Sequence, residues 1–260
     1  MKQELFGVCE PEFDESPSSW LSRAAASQAM SLHELCRWLE IPYRRDMDAG
    51  FCNLKTRQIE ARCGLRPRVF DFPCRMLRVG SALRTVRPAL WSERGRSRYR
   101  FCPKCFEDQH TPYLPVHWRF DPWRLCFKHR CMMEDACWKC HMPILLPEKM
   151  EQGGADGKGI TFMSQCFHCS ELLWRVAPIY VDQLAPLVLS PLQEVQLQNG
   201  CAFVSAIAHG YMTNLLGRTV RIAKELPLME RMQLLASGDS LSPNAIRQRE
   251  LLDEEEWQDC

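Results

Sequence analysis

The sequence predicts a mostly α fold with small β modules in the middle of the chain. Three observations carry this. Helix-capping residues and apolar side chains at helical spacing mark both ends of the 260-residue chain. Eight of its 15 cysteines and five of its seven histidines crowd between Cys102 and Cys169, a stretch with little regular apolar pattern. Hydrophobic residues make up 46% and charged residues 25%, an ordinary globular balance that argues against disorder. No apolar run approaches the roughly 18 residues needed to span a bilayer, so no membrane is expected as a partner. The opening Met1-Lys2-Gln3-Glu4 is too polar for a secretory signal, and the expected location is the cytoplasm.

The elements follow in order. Ser16-Pro17 places a capping oxygen and a first-turn proline before a helix from Ser18 to Met30, with Trp20, Leu21, Ala24 and Ala25 on one face. Ser31 and Glu34 form a capping box for a second helix, whose stripe is Leu32, Leu35, Cys36 and Leu39 and which Pro42 ends. A short helix from Leu54 to Cys63, a glycine turn at Gly64 and a basic helix from Val69 to Val79 read as a helix-turn-helix, interrupted at Pro73. Arg94, Arg96, Arg98 and Arg100 alternate with small or aromatic residues as a basic loop or edge strand. Gly153, Gly154, Gly157 and Gly159 mark a loop. Helices are expected again from Val181 to Gln198, broken by Pro186 and Pro191, from Cys201 to Leu216 with Gly217 as C-cap, and from Arg218 to Leu235. An acidic tail runs from Asp253 to Glu256.

Within the cysteine-rich stretch, four clamps of two donors separated by two residues occur in sequence: Cys102/Cys105, Cys126/His129, Cys137/Cys140 and Cys166/Cys169. A reducing cytoplasm turns such thiols towards metal rather than disulfides. Two clamps supply the four tetrahedral ligands that zinc prefers, so four clamps make two complete sites with none left over. Sequential pairing gives one three-cysteine, one-histidine site and one four-cysteine site; a crossed pairing of first with third and second with fourth stays open. Saturation by protein ligands marks both Zn2+ ions as structural, a staple for a region short of core. His110, His117, Cys131, His141 and His168 are spare donors, and Trp118, Phe120, Trp123, Phe127 and Trp138 are the expected core between the clamps. Three units follow: a helix-turn-helix-like domain over 1–98, a double zinc-binding region over 99–175 and a helical region over 176–260.

Charge is uneven beneath a net value of +1. Residues 54–104 hold 14 basic and 3 acidic side chains, whereas residues 1–53 hold 5 basic and 9 acidic. Such a block points to an anionic partner. Arg66, Arg68, Arg94, Arg96, Arg98 and Arg100 are the candidate phosphate contacts if that partner is nucleic acid. Enzymatic readings lack residues: His33-Glu34 has no second imidazole one turn on, and there is no His-x-Glu pair, Gly-rich phosphate loop or Gly-x-Ser-x-Gly elbow. No catalytic residue is expected.

The order Ser18-Ser19-Trp20-Leu21-Ser22-Arg23-Ala24-Ala25, Arg100-Phe101-Cys102-Pro103-Lys104-Cys105, Pro112-Tyr113, His117-Trp118-Arg119, Cys126-x2-His129 and Cys137-x2-Cys140 resembles the TniQ family, whose relatives include the TnsD target selectors of bacterial transposons. The resemblance covers roughly residues 5–175. It implies a bacterial, non-enzymatic adaptor for DNA transposition that helps select the target site and recruits the transposon's AAA+ ATPase. It also implies an N-terminal helix-turn-helix, zinc-finger modules and, in many members, a homodimer. Some members read target DNA directly and others dock on a CRISPR effector nucleoprotein. Two departures stand out: Arg62-Cys63-Gly64-Leu65 replaces a slimmer Thr-Gly turn, and the C-terminal part is shorter than in many members. The alternative function is a zinc-finger and helix-turn-helix transcription regulator with no transposon connection.

Overall fold

Helix α1 (Pro17–Ser27) begins where the sequence places it, with the Ser16 side chain accepting from the Ser19 amide and Pro17 in the first turn. The computed structural model describes residues 5, 7–83, 88–146, 163–183, 190–213, 217–232, 235, 242–243 and 246–247. Helix α2 (Leu32–Leu39) carries the reciprocal Ser31–Glu34 capping box and ends at Glu40 in the left-handed region, before Pro42 is reached. Helix α3 (Met47–Phe51), which the sequence pattern does not announce, is one turn capped by Asp46. Helices α4 (Thr56–Arg62) and α5 (Asp71–Ala82) are the expected pair. Pro73 lies in the first turn of α5, where no intrahelical partner for an N–H is lost, so it starts the helix rather than interrupting it. Residues 63–70 join the two helices, a longer connection than the three to four residues of a compact helix-turn-helix.

A core of Trp20, Leu21, Leu35, Leu39, Met47, Phe51, Ile59 and Phe70 holds these helices together. Trp20, Phe51 and Phe70 meet edge to face, with ring centroids 4.8–6.1 Å apart. The Trp20 indole N–H donates to the Cys9 carbonyl at 2.9 Å, so the buried ring leaves no orphan donor.

The arginine-rich stretch is a hairpin. Strands β1 (Ser92–Glu93) and β2 (Arg96–Tyr99) pair antiparallel in the register Ser92↔Ser97. Arg94 and Gly95 form the two-residue turn with φ of 51° and 76°, the left-handed pair that such a turn requires. Strand β5 (Ile144–Leu146) pairs with the other side of β2, so β2 is the central strand of three and not an edge. Helix α6 (Pro103–Asp108) and the small hairpin of β3 (Leu125–Cys126) and β4 (Cys131–Met132) complete the middle of the chain around Tyr99, Phe101, Phe106, Trp118, Ile144 and Leu173.

The C-terminal region departs most from expectation. One helix, α7 (Pro191–His209), runs through the position where two were expected, because Pro191 sits in its first turn behind a Ser190–Gln193 capping box. Gly210, with φ 76°, ends it, and the chain turns into a hairpin of β6 (Tyr211–Thr213) and β7 (Thr219–Arg221) before α8 (Ile222–Arg231). Gly200 lets α7 cross against the middle of the chain: a Cβ there would stand 2.2 Å from the Pro122 carbonyl oxygen. Phe203, Val204 and Ile207 of α7 join Met76, Leu77, Val116, Phe120 and Leu226 in one core, so α5, the middle region and the C-terminal helices share apolar contacts. The glycine loop at 153–159, Pro186 and the acidic tail lie outside the described residues. Among the described residues no helix is long and apolar enough to cross a membrane.

Candidate metal centres and the basic surface

The four clamps are built by one device used three times and a different device used once. Cys126-Phe127-Lys128-His129, Cys137-Trp138-Lys139-Cys140 and Cys166-Phe167-His168-Cys169 each form a knuckle in which the following residue is left-handed: Arg130, His141 and Ser170, with φ of 54°, 57° and 57°. In each, that residue's amide donates to the carbonyl of the first cysteine, at 2.7, 2.9 and 2.8 Å respectively. The turn brings both donors to the same side. The remaining clamp sits on a helix start: Cys102 is the N-cap of α6, Pro103 occupies the first turn, and the Cys102 sulfur accepts from the Cys105 amide at 3.4 Å.

Cys102, Cys105, Cys126 and His129 converge in one cluster, and Cys137, Cys140, Cys166 and Cys169 in another, which is the sequential pairing. A tetrahedron built on metal–sulfur bonds of about 2.3 Å has S···S edges of about 3.8 Å and S···N edges of about 3.5 Å. His129 Nδ1 lies 3.4, 3.3 and 3.6 Å from the sulfurs of Cys102, Cys105 and Cys126, and Cys105 lies 3.7 Å from Cys126. In the second cluster, Cys137–Cys169 is 3.7 Å and Cys140–Cys166 is 3.5 Å. Both donor sets therefore fit a tetrahedral ion. The third and fourth clamps are also tied around the cluster: Lys139 pairs with Glu171 at 2.9 Å, and the Trp138 indole donates to the Leu172 carbonyl at 3.2 Å.

Two residues near the first centre carry roles that the sequence pattern hides. Asp108, at the end of α6, accepts from His129 Nε2 at 3.0 Å and from Lys128 at 2.7 Å. Burial lowers the His129 pKa, but the hydrogen bonds to Cys102, Asp108 and Cys126 outweigh it and leave it raised. Hydrogen-bonding the distal ring nitrogen fixes the tautomer that presents Nδ1 to the cluster. Cys131 is a fifth sulfur, fully buried and 3.5 Å from Cys102. It pairs with Cys126 across the β3–β4 hairpin, as Met142 and Glu171 each bond back to Cys137 and Cys166 in the other two knuckles. Hairpin geometry places it there. His141 and His168 lie at the surface, and His117 packs against Trp123 with an Asp14 oxygen 3.5 Å away. Phe127 and Trp138 are 47% and 36% exposed at knuckle tips, outside the core expected of them.

The predicted phosphate contacts scatter. Arg100 is buried: it ion-pairs with Asp121 at 2.9 Å and lies over the Trp91 ring, so it is an internal side chain and not a surface cation. Arg98 stacks on the same ring and pairs with Glu93 at 2.7 Å. Arg96 donates to the Leu145 carbonyl at 3.2 Å. Arg66 is exposed and pairs with Glu10 at 2.5 Å. Arg68 and Arg94 are exposed, both left-handed. Arg62 pairs with Glu40 at 2.7 Å. Arg62, Arg66 and Arg100 thus answer acidic side chains outside the basic block, and Arg98 one within it.

Two of the motifs on which the resemblance rests, the start of α1 and the His117-Trp118-Arg119 turn, meet at one junction. Ser19 donates to Glu15 at 2.7 Å and accepts from the Leu114 amide at 3.0 Å; Arg23 pairs with Glu15. The Ser18 amide donates to Asp48 at 2.8 Å, and Asp48 also receives Arg119 at 2.7 Å and the Tyr99 hydroxyl. Burial and the neighbouring Asp48 charge push the Tyr99 phenol well up, which keeps it a neutral donor. The start of α1 is thus bolted to the His117-Trp118-Arg119 turn of the middle region.

A helical unit joined through buried polar contacts to a middle region with two four-donor clusters defines the class: a protein whose cysteines and one histidine are arranged so that each cluster could hold a metal ion. Its family follows from comparison. Residues 7–133 match the model of the TniQ family, so this part of the chain, which runs from before α1 through the first cluster, is a TniQ-family segment. A TniQ segment marks a transposition-associated protein. Comparison with curated proteins gives no match.

Proposed function

We propose that the protein is a non-enzymatic adaptor in bacterial DNA transposition that helps select the insertion site and recruits the transposon's AAA+ ATPase to DNA or to a nucleoprotein such as a CRISPR effector complex. The observation that carries this is the TniQ match over residues 7–133, which encloses both the α1 motif and the first cluster. The donor chemistry supports the accessory parts of the reading. Each cluster offers four soft or borderline donors at tetrahedral spacing, the set zinc prefers, and four protein ligands leave no coordination position for a substrate. Two structural Zn2+ ions, when bound, would each add about 10–16 kcal/mol of apparent binding energy to folding. Helices α4 and α5 would serve as the helix-turn-helix, with the knuckle hairpins as zinc-ribbon modules, in units spanning 1–98, 99–175 and 176–260. The cytoplasm and a homodimer complete the reading.

The test is capture of a transposon AAA+ ATPase by this protein, with and without target DNA. Specific capture, strengthened by DNA, supports the adaptor. Absence of capture under both conditions overturns it, and transcriptional change at a bound promoter would favour the regulator reading instead.

A further inference from the structure

The β6–β7 hairpin carries a face that stays exposed among the described residues. Tyr211 stands opposite Arg221 and Thr213 opposite Thr219, so the four share one side of the ribbon, while Met212 and Val220 share the other. All four are exposed, Tyr211 to 50%, whereas Met212 and Val220 are half-buried and Met212 packs against the core of α7 and α8. Lys224 is exposed on the first turn of α8, three residues beyond Arg221, and exposed Arg218 precedes the second strand. Between His209 and Lys224 the chain contains no acidic residue. Among the described residues, neither Arg221 nor Lys224 has an ion-pair partner, in contrast to Arg62, Arg66, Arg98 and Arg100.

We propose that this ribbon face, with Arg221, Lys224, Tyr211, Thr213 and Thr219, is a docking surface for the backbone of double-stranded DNA. Charge and shape both favour this partner. A face with cations and hydroxyl donors is complementary to phosphate, and a two-stranded ribbon fits the DNA major groove. Three residues per strand give about 10 Å of ribbon, which faces about six phosphate charges along a duplex axis. Gly210 sets the geometry, since its left-handed φ ends α7 and lets the chain turn directly into the ribbon. The surface deepens the adaptor reading and rests on it only in that the chain is taken to meet DNA. It lies beyond the family-matched residues and apart from the arginines that the charge pattern singles out.

The test uses the full zinc-loaded chain and a mixed-sequence duplex labelled for fluorescence anisotropy, titrated at several salt concentrations. Removing one cation from a phosphate takes about 0.9 from the slope of log K against log salt. The double variant R221Q/K224Q is therefore expected to flatten the slope by about two and to weaken binding about thirtyfold near 0.15 M salt. A photo-crosslinking residue at Tyr211 should label the duplex. Circular dichroism should not change, because both substituted side chains are exposed. Unchanged affinity and slope, absence of duplex binding by the parent chain, or crosslinks confined to protein or RNA would overturn the surface. Capture of the ATPase by the parent chain separates the readings: capture with an inert hairpin sinks this inference alone, and duplex binding through the hairpin without capture sinks the adaptor alone.

Discussion

Arg119 Nη1 lies 2.7 Å from Asp48 Oδ2, and the two side chains are 1% and 0% exposed. Arg119 belongs to the turn that leads into the first metal centre, and Asp48 to a single-turn helix of the N-terminal unit. Asp48 also receives the Ser18 amide at the start of α1, and Arg119 also holds Asp46. A buried pair of this kind is expensive to break because the survivor keeps its charge out of water.

Asp48→Ala should therefore destabilise the protein by about 3–5 kcal/mol, read as a lower urea midpoint. Arg119→Met should cost a similar amount. A loss under about 1 kcal/mol for either variant would show that the junction is not a buried charge pair.

The same junction sets an acid limb. Burial raises the Asp46 pKa, but the Arg119 charge and the hydrogen bonds from Arg119, Ala49 and Ser97 outweigh it and leave the carboxyl below its ordinary value. Its contribution to stability is complete above the unfolded value of about 3.9 and is lost as pH falls through the lower folded value. The stability difference between parent and Asp46→Asn should thus be constant near neutrality and shrink below about pH 4. A difference that grew on acidification would contradict this assignment.

Asp108 should matter to one metal centre only. Removing the partner of a ligating histidine typically weakens a site tenfold to a hundredfold. Asp108→Ala should release one of two ions at lower chelator concentration while the second is held as tightly as before. Equal weakening of both, or of neither, would remove Asp108 from its supporting role.

The knuckles predict an unusual tolerance. His141 is left-handed at φ 57°, where a β-branched residue is strained and glycine is not. His141→Gly should keep both ions and match or exceed the parent in stability, whereas His141→Val should lose about 1–2 kcal/mol. Loss of an ion in the glycine variant would make His141 a ligand.

Legibility followed the range of the physics. Ser16, Pro17, Ser31, Glu34 and the paired clamps were readable because caps and metal knuckles are local, their partners lying within a few residues. Asp108 was not, since its partner His129 is 21 residues away. The arginine pattern misleads at Arg100: alternation marks a basic loop or edge strand, but the strand is central, and Arg100, just past its end, is covered by Asp121 and by Trp91. The boundary misplaced at Gly217 shows the same limit, because Gly210 and Gly217 are equally plausible stops until tertiary packing chooses.

Native mass spectrometry of the purified full chain, with metal identification on the same sample, bears most directly on the architecture. The account requires two zinc ions per folded chain, one of which leaves when Cys102 is replaced by serine and neither of which leaves when Cys131 is. A chain that stays folded with no bound metal, or with a single ion that keeps a water ligand, would contradict it.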